Sequence, residues 1–239
     1  MKSIKIRLMP QDKIVLPYAH FHILQGLVYS LLSFDSEYAY ALHEQKRDNR
    51  DAMKLFCFSD LQGQYENDSE SKTLTFCKEC IFEIRSSNDK TVDIIEQRLQ
   101  SDPCILLNDC ECRVTGAETA SRNFFDTCMV FSATTPITVY QSDANHSVYY
   151  SFADAEFYDL VKNNLKTKYA LVYGKEYEGE FTFECLQAGQ KAKCVTTFKN
   201  TYITGYYGKY LLKATPEMLA IAYYCGVGSK NSMGFGFIQ

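Results

Sequence analysis

Nowhere in these 239 residues is there a run of 18 uncharged apolar residues, so the sequence offers no membrane-spanning helix. A second C-x-x-C is missing as well. Cys77 and Cys80 form the only one, with Cys110 and Cys112 as possible company, whereas a zinc site wants two ordered pairs. Within "TLTFCKECIFEI" the two cysteines fall in one alternating strand pattern, where residues three apart point to opposite faces. No metal site is expected. The N-terminus "MKSIKIRLMPQDKIVLPY" alternates in steps of two and turns at Pro10, which reads as a strand and not as a signal peptide. The ten cysteines are therefore expected as free thiols of a cytoplasmic protein. Histidine is scarce, with four residues in all. The ending "CGVGSKNSMGFGFIQ" is rich in glycine yet lacks the helix that a dinucleotide loop or a P-loop must open, because only three residues follow Gly236.

What that ending does have is Gly226, Gly228, Gly234 and Gly236 around Lys230, Asn231 and Ser232. Glycine permits positive φ and close backbone approach, so such a loop suits phosphate oxygens; a bulged terminal strand packed on a helix is the alternative reading. The net charge of −4 conceals segregation. Residues 55–184 carry eleven Lys and Arg against twenty-two acids, while residues 185–239 carry six against one. No acid occurs between Glu184 and Glu217, a segment that holds Lys191, Lys193, Lys199, Lys209 and Lys213 among Tyr202, Tyr206, Tyr207 and Tyr210. Basic charge supplies affinity for a nucleic-acid backbone, and aromatic faces stack bases. Lys191 and Lys193, two apart on an expected strand, would grip one phosphate track.

One series of elements occurs twice. Strand "SIKIRLM", a helical region from His20 to about Lys46, strands "MKLFCFSDL" and "KTLTFCKECIFEIRS", helix "TVDIIEQRLQ" and a strand near "ILLNDCECRVTGAE" give βαββαβ. After "TASRNFFDT" come strand "CMVFSATTPITVYQ", helix "FADAEFYDLVKNNL", strands "GEFTFECLQ" and "KCVTTFKNTYITGYYGKYLL", helix "PEMLAIAYYCGV" and a closing strand "GFGFIQ". Thr91 and Thr215 signal helix starts, the latter with Pro216 at the first helical position. The fold class is thus α+β, two tandem ferredoxin-like domains with antiparallel sheets, divided into 1–120 and 121–239.

In the first helix Phe21, Leu24, Leu27, Val28, Leu31 and Leu32 make the core stripe. His20 sits on its edge as a packed, hydrogen-bonded residue, while His22, Gly26 and Tyr29 face outward. In "SEYAYALHEQK" the apolar face is Tyr38, Ala41 and Leu42, which leaves His43 on the other side. Lys54 opens "KLFCFSD". Tyrosine, histidine and lysine at one rim form a set able to move protons without a metal. His146, in "DANHSVYY", is given no role.

"LPYAHFHILQGLVYSLL", "ALHEQ", "KLFCFSDL", "FSATTPITV" and "GVGSKNSMGFG" together resemble the CRISPR-associated endoribonuclease family, of RAMP type, that cuts precursor CRISPR RNA within its repeats. By that likeness His43 matches the catalytic histidine, Tyr29 the tyrosine and Lys54 the lysine, although the insertion "RDNRDA" precedes Lys54. Gly226, Gly228, Lys230, Asn231, Ser232, Gly234 and Gly236 match the RNA-facing glycine-rich loop. The resemblance implies metal-independent attack of an RNA 2′-hydroxyl on the adjacent phosphate, leaving a 2′,3′-cyclic phosphate and a 5′-hydroxyl, without a cofactor. The implied partner is CRISPR repeat RNA, bound by a monomer or homodimer alone or with other subunits of a CRISPR effector complex. A non-catalytic RNA-binding subunit on the same scaffold is the alternative.

Overall fold

The fold is described from a computed structural model for residues 1–44, 53–142, 147–198 and 201–239, with the side chains of His43 and Glu44 outside the description. The first half runs β1 (Lys2–Pro10), β2 (Ile14–Pro17), α1 (Phe21–Leu32), α2 (Ser36–Glu44), β3 (Phe56–Phe58), β4 (Tyr65–Asp68), β5 (Thr73–Phe76), β6 (Cys80–Ser86), α3 (Asp89–Ser101), β7 (Cys104–Leu107) and β8 (Cys110–Ala120). Its sheet has the order β3-β6-β1-β8-β7, and the β1–β6, β1–β8 and β3–β6 ladders are all antiparallel. Alternation along β1 buries Ile4, Ile6 and Leu8 and exposes Lys5 and Met9. The buried set shares one core with the apolar faces of α1 and α3. Strands β2, β5 and β4 form a separate small sheet.

The second half runs β9 (Cys128–Ser132), β10 (Tyr140–Ser142), β11 (Ser147–Tyr149), α4 (Ala155–Tyr173), β12 (Thr182–Gln187), β13 (Lys193–Phe198), β14 (Thr201–Tyr206), β15 (Lys209–Lys213) and α5 (Pro216–Cys225). Its sheet order is β12-β15-β9. Backbone hydrogen bonds between Ser132 and Gln239, and from Thr134 N to Phe237 O, put the end of the chain in the fourth-strand position beside β9. Both halves thus place their secondary elements as a βαββαβ unit does, with antiparallel sheets. Two hairpins are inserted in the second half: β10–β11 before α4, and β13–β14 between the core strands β12 and β15. The β13–β14 hairpin reaches the other half, since Phe198 and Ile203 belong to the core built around α1 and β1.

Helix α5 packs on β3 and β6 and joins the halves. Arg85 on β6 is at the centre of this junction. Its Nε is 2.6 Å from Glu83 Oε1, its Nη1 donates to Ile238 O at 2.7 Å, and its guanidinium lies 3.6 Å and 4.0 Å from the ring centroids of Tyr223 and Phe237. A buried guanidinium is tolerable because the carboxylate, the carbonyl and two ring faces replace water.

Several elements differ from expectation. "KTLTFCKECIFEIRS" is two strands in different sheets, broken after Phe76, so Cys77 is exposed in the connection and Cys80 is buried at the start of β6. All ten cysteines are unpaired, five of them buried. Helix α3 begins earlier than Thr91: Asn88 is the cap, its side chain accepting from Lys90 N, and Thr91 is buried within the first turn. "KCVTTFKNTYITGYYGKYLL" folds as a hairpin followed by β15, and "GFGFIQ" makes a bridge at Ile238 in place of a full strand. Thr215 holds the N-cap position of α5 with Pro216 following it, although its side chain makes no capping hydrogen bond to the helix backbone. The insertion "RDNRDA" and His146 both lie outside the described residues.

Candidate active site and nucleic-acid interface

The periodicity of α1 sets what the site can contain. Its apolar stripe is buried, His22 and Gly26 are exposed, and Tyr29 is half-buried on the same outward side. Above Gly26 lies open space, since a Cβ built there meets nothing within 4 Å. His20, just before the helix, is 4% exposed and bonds Pro17 O at 2.9 Å and Asp60 Oδ1 at 2.7 Å, so it is a satisfied core residue. Burial pulls its pKa down, but the hydrogen bond and charge of Asp60 outweigh this and the net shift is upward. His22 faces Phe198 of the β13–β14 hairpin edge to face, with ring centroids 6.3 Å apart.

Lys54, two residues before β3, donates a hydrogen bond to the Tyr29 hydroxyl, and its ammonium is 4.6 Å from the centre of that ring. Desolvation pushes the Tyr29 hydroxyl up to about 12, so at neutral pH it is a proton donor and not a base. The structure therefore brings two of the three expected catalytic residues together. His43 belongs to the last turn of α2, a helix packed on α1, and its ring lies outside the described residues.

Towards the N-terminus of α1, Gln25 Nε2 donates to Ser232 O at 2.6 Å, and Phe21 meets Phe235 edge to face. Gln25 and Tyr29 are one helical turn apart and neighbours on the surface. The glycine-rich segment is thereby tied beside the Tyr29–Lys54 pair. Its glycines are themselves buried: Gly226, Gly228, Gly234 and Gly236 bring chain against chain inside the protein rather than lining an open surface. At Gly236 (φ 69°) a Cβ would collide with Val227 O, and at Gly228 (φ 75°) it would come within 2.7 Å of Thr138 O. Ser229, Lys230, Ser232 and Met233 are the partly exposed residues of the turn. Lys230 holds a left-handed φ of 60° and sets its ammonium 4.4 Å from the ring centre of Tyr140 on β10. Asn231 is buried, its amide donating to Val227 O and Phe235 O.

Lys193 opens β13 and is exposed, paired across the hairpin with Tyr206. Lys191 is also exposed but sits in the turn before the strand, so the two lysines do not alternate along one strand as expected. Among the described residues no group of three or more His, Cys, Asp or Glu stands ready to hold a metal ion, and no helix is long and apolar enough to cross a membrane.

Sequence reasoning missed Gln25, Tyr140 and Lys168. For Lys168 a signal was present. It follows Phe157, Val161 and Leu165 on the buried stripe of α4, a place where lysine is out of keeping with its neighbours.

A family model described as "CRISPR associated protein Cas6, C-terminal" matches residues 118–239. A protein of Pyrococcus furiosus named "CRISPR-associated endoribonuclease Cas6" is 27% identical over 243 residues, covering 98% of this chain and 88% of that protein. "CRISPR-associated endoribonuclease Cas6 1" of Methanocaldococcus jannaschii is 25% identical, covering 98% and 91%. A solved structure described as "An RAMP protein binding different RNA substrates" superposes with a TM-score of 0.82 over 100% of this chain and 99% of that one, at 18% identity, a likeness of fold.

Proposed function

The chain belongs to the CRISPR-associated Cas6 family, and on that premise we propose that it is an endoribonuclease that cuts precursor CRISPR RNA within its repeats. The observation that carries this reading is the Tyr29–Lys54 hydrogen bond on α1, one turn from the Gln25–Ser232 tie that seats the glycine-rich segment. The first half, residues 1–120, supplies His43, Tyr29 and Lys54. The second half, residues 121–239, holds the RNA through Ser229–Met233, Lys191 and Lys193, with the buried glycines shaping that turn.

In the reaction the 2′-hydroxyl loses its proton, its oxygen attacks the adjacent phosphorus, the bond from phosphorus to the 5′ oxygen breaks, and that oxygen takes a proton. The products are a 2′,3′-cyclic phosphate and a 5′-hydroxyl. Proton transfer falls to His43, because an imidazole titrates near pH 6.5, close to the operating pH. Tyr29 stays protonated to about pH 12; with Lys54 donating to its oxygen, its own O–H is the donor it offers to the scissile phosphate. The Lys54 ammonium opposes the negative charge that grows on the phosphorane. No step calls for a metal ion.

End-labelled repeat RNA incubated with the protein in excess chelator tests the proposal. One cut with a cyclic phosphate end supports it. RNA that is shifted on a gel but left intact makes the protein a binding subunit, and activity that requires an added divalent ion makes it a metal nuclease.

A further inference from the structure

Lys168 is a lysine on the buried stripe of α4, and its side chain is 2% exposed. Its ammonium donates to Gly226 O at 2.7 Å, Gly228 O at 2.9 Å and Asn231 Oδ1 at 2.7 Å, three oxygens of the glycine-rich segment. Its three N–H groups are thus satisfied, but no carboxylate among the described residues pairs with its charge. The titratable groups facing it are the thiols of Cys57 on β3 and Cys225 at the end of α5. Burial raises both, Cys57 to about 12, so neither is a thiolate at neutral pH. Arg85 and Glu83, beyond Cys57, are paired with each other, and Lys230 on the turn itself adds a second positive charge. An ammonium taken out of water without a counter-ion is costly to keep, and here it lies directly beneath the turn that carries Ser229, Lys230 and Ser232.

We propose that Lys168 is a positioning residue for the RNA, a buried charge that pins the Ser229–Met233 turn and finds its missing counter-ion in a phosphate of the RNA seated there. This rests on the reading that the turn contacts RNA. Two consequences follow from charge and linkage. Burial lowers the Lys168 pKa to about 8 in the free protein. A phosphate nearby favours the charged form, so binding raises that pKa, and by reciprocity RNA affinity is full below about pH 8 and falls as the pH rises past it. A tenfold gain in proton affinity on binding corresponds to a loss of about tenfold in RNA affinity at alkaline pH.

The test uses the whole chain, labelled with 13C-lysine, and a repeat RNA with a 2′-deoxy substitution at the cut site so that it binds without being cut. The Lys168 Cε resonance is assigned by its absence from a Lys168→Met variant and titrated with and without RNA. The expected result is a pKa higher with RNA bound, together with weaker wild-type binding at pH 9.5 than at pH 6.5. Where Lys168→Met folds, its affinity is expected to be about tenfold lower at pH 6.5, with a smaller fall between the two pH values than in wild type. RNA bound with the Lys168 pKa unmoved overturns the proposal and leaves the RNA reading intact. Wild-type protein that binds no repeat RNA at either pH overturns both.

Discussion

His20 and His22 are two positions apart at the start of α1, about half a helical turn, and the first is buried in the core while the second faces solvent. His20 is held by Asp60, which raises its pKa despite burial. A raised value means that protonation favours the fold. That stability is complete below the unfolded value of about 6.5 and disappears as the pH climbs through the higher folded value. Thermal unfolding of Asp60→Asn is therefore expected to show its largest deficit against wild type near pH 6 and a smaller one at pH 9. A pH-independent deficit would mean that the pair acts by packing alone. For His43 and His22 the expected contrast is in catalysis. Under single-turnover conditions His43→Ala should cost about 10²–10⁴-fold in rate with RNA affinity retained, while His22→Ala stays near wild type. The reverse pattern would move the proton-transfer role to His22. Outward placement of His22, Gly26 and Tyr29 was legible from the 100° period alone, and so was the packed His20. The Tyr29–Lys54 contact was not, because it depends on how β3 is brought under α1, a long-range placement that no local spacing encodes.

Gly26 poses a question about α1 as an element. Glycine in mid-helix costs about 0.5–1 kcal/mol relative to alanine, and here nothing fills the space above it. Gly26→Ala should raise stability by about that amount in denaturant unfolding. If an RNA backbone passes over this face, Gly26→Leu should stabilise the free protein yet weaken RNA binding; equal affinity would place the RNA elsewhere. At the terminal segment glycine serves another purpose. The sequence showed that these residues were special, but not whether their backbone faces solvent or the protein's own interior. Gly228 and Gly236 are close-packed, and the part left accessible is Ser229–Met233. Strand limits were misread for a related reason. "KTLTFCKECIFEIRS" alternates almost throughout, and only the tertiary choice of two different partner sheets breaks it after Phe76.

Across the whole molecule, the duplicated βαββαβ order was legible because amphipathic periods switch between 2 and 3.6 in the same sequence twice. Hidden from sequence was the junction, where Arg85 joins Glu83, Ile238 and the rings of Tyr223 and Phe237. Removing one member of such a buried pair leaves the other uncompensated. Arg85→Ala should accordingly lower unfolding free energy by about 3–5 kcal/mol, read from denaturant midpoints at unchanged slope. A loss below about 1 kcal/mol would show that the halves do not depend on this contact. The acidic middle and basic end of the chain remain consistent with a polyanion partner, despite a net charge of −4, because attraction is set by the local surface. The most direct measurement of what the Tyr29–Lys54 site does is cleavage of repeat RNA carrying a single 2′-deoxy nucleotide at the cut site, compared with the all-ribose strand in the same chelator-containing buffer. Loss of the cut with binding unchanged is the expected result. Cleavage of the deoxy strand at the same position would contradict attack by the 2′-hydroxyl, and with it the roles given to His43, Tyr29 and Lys54.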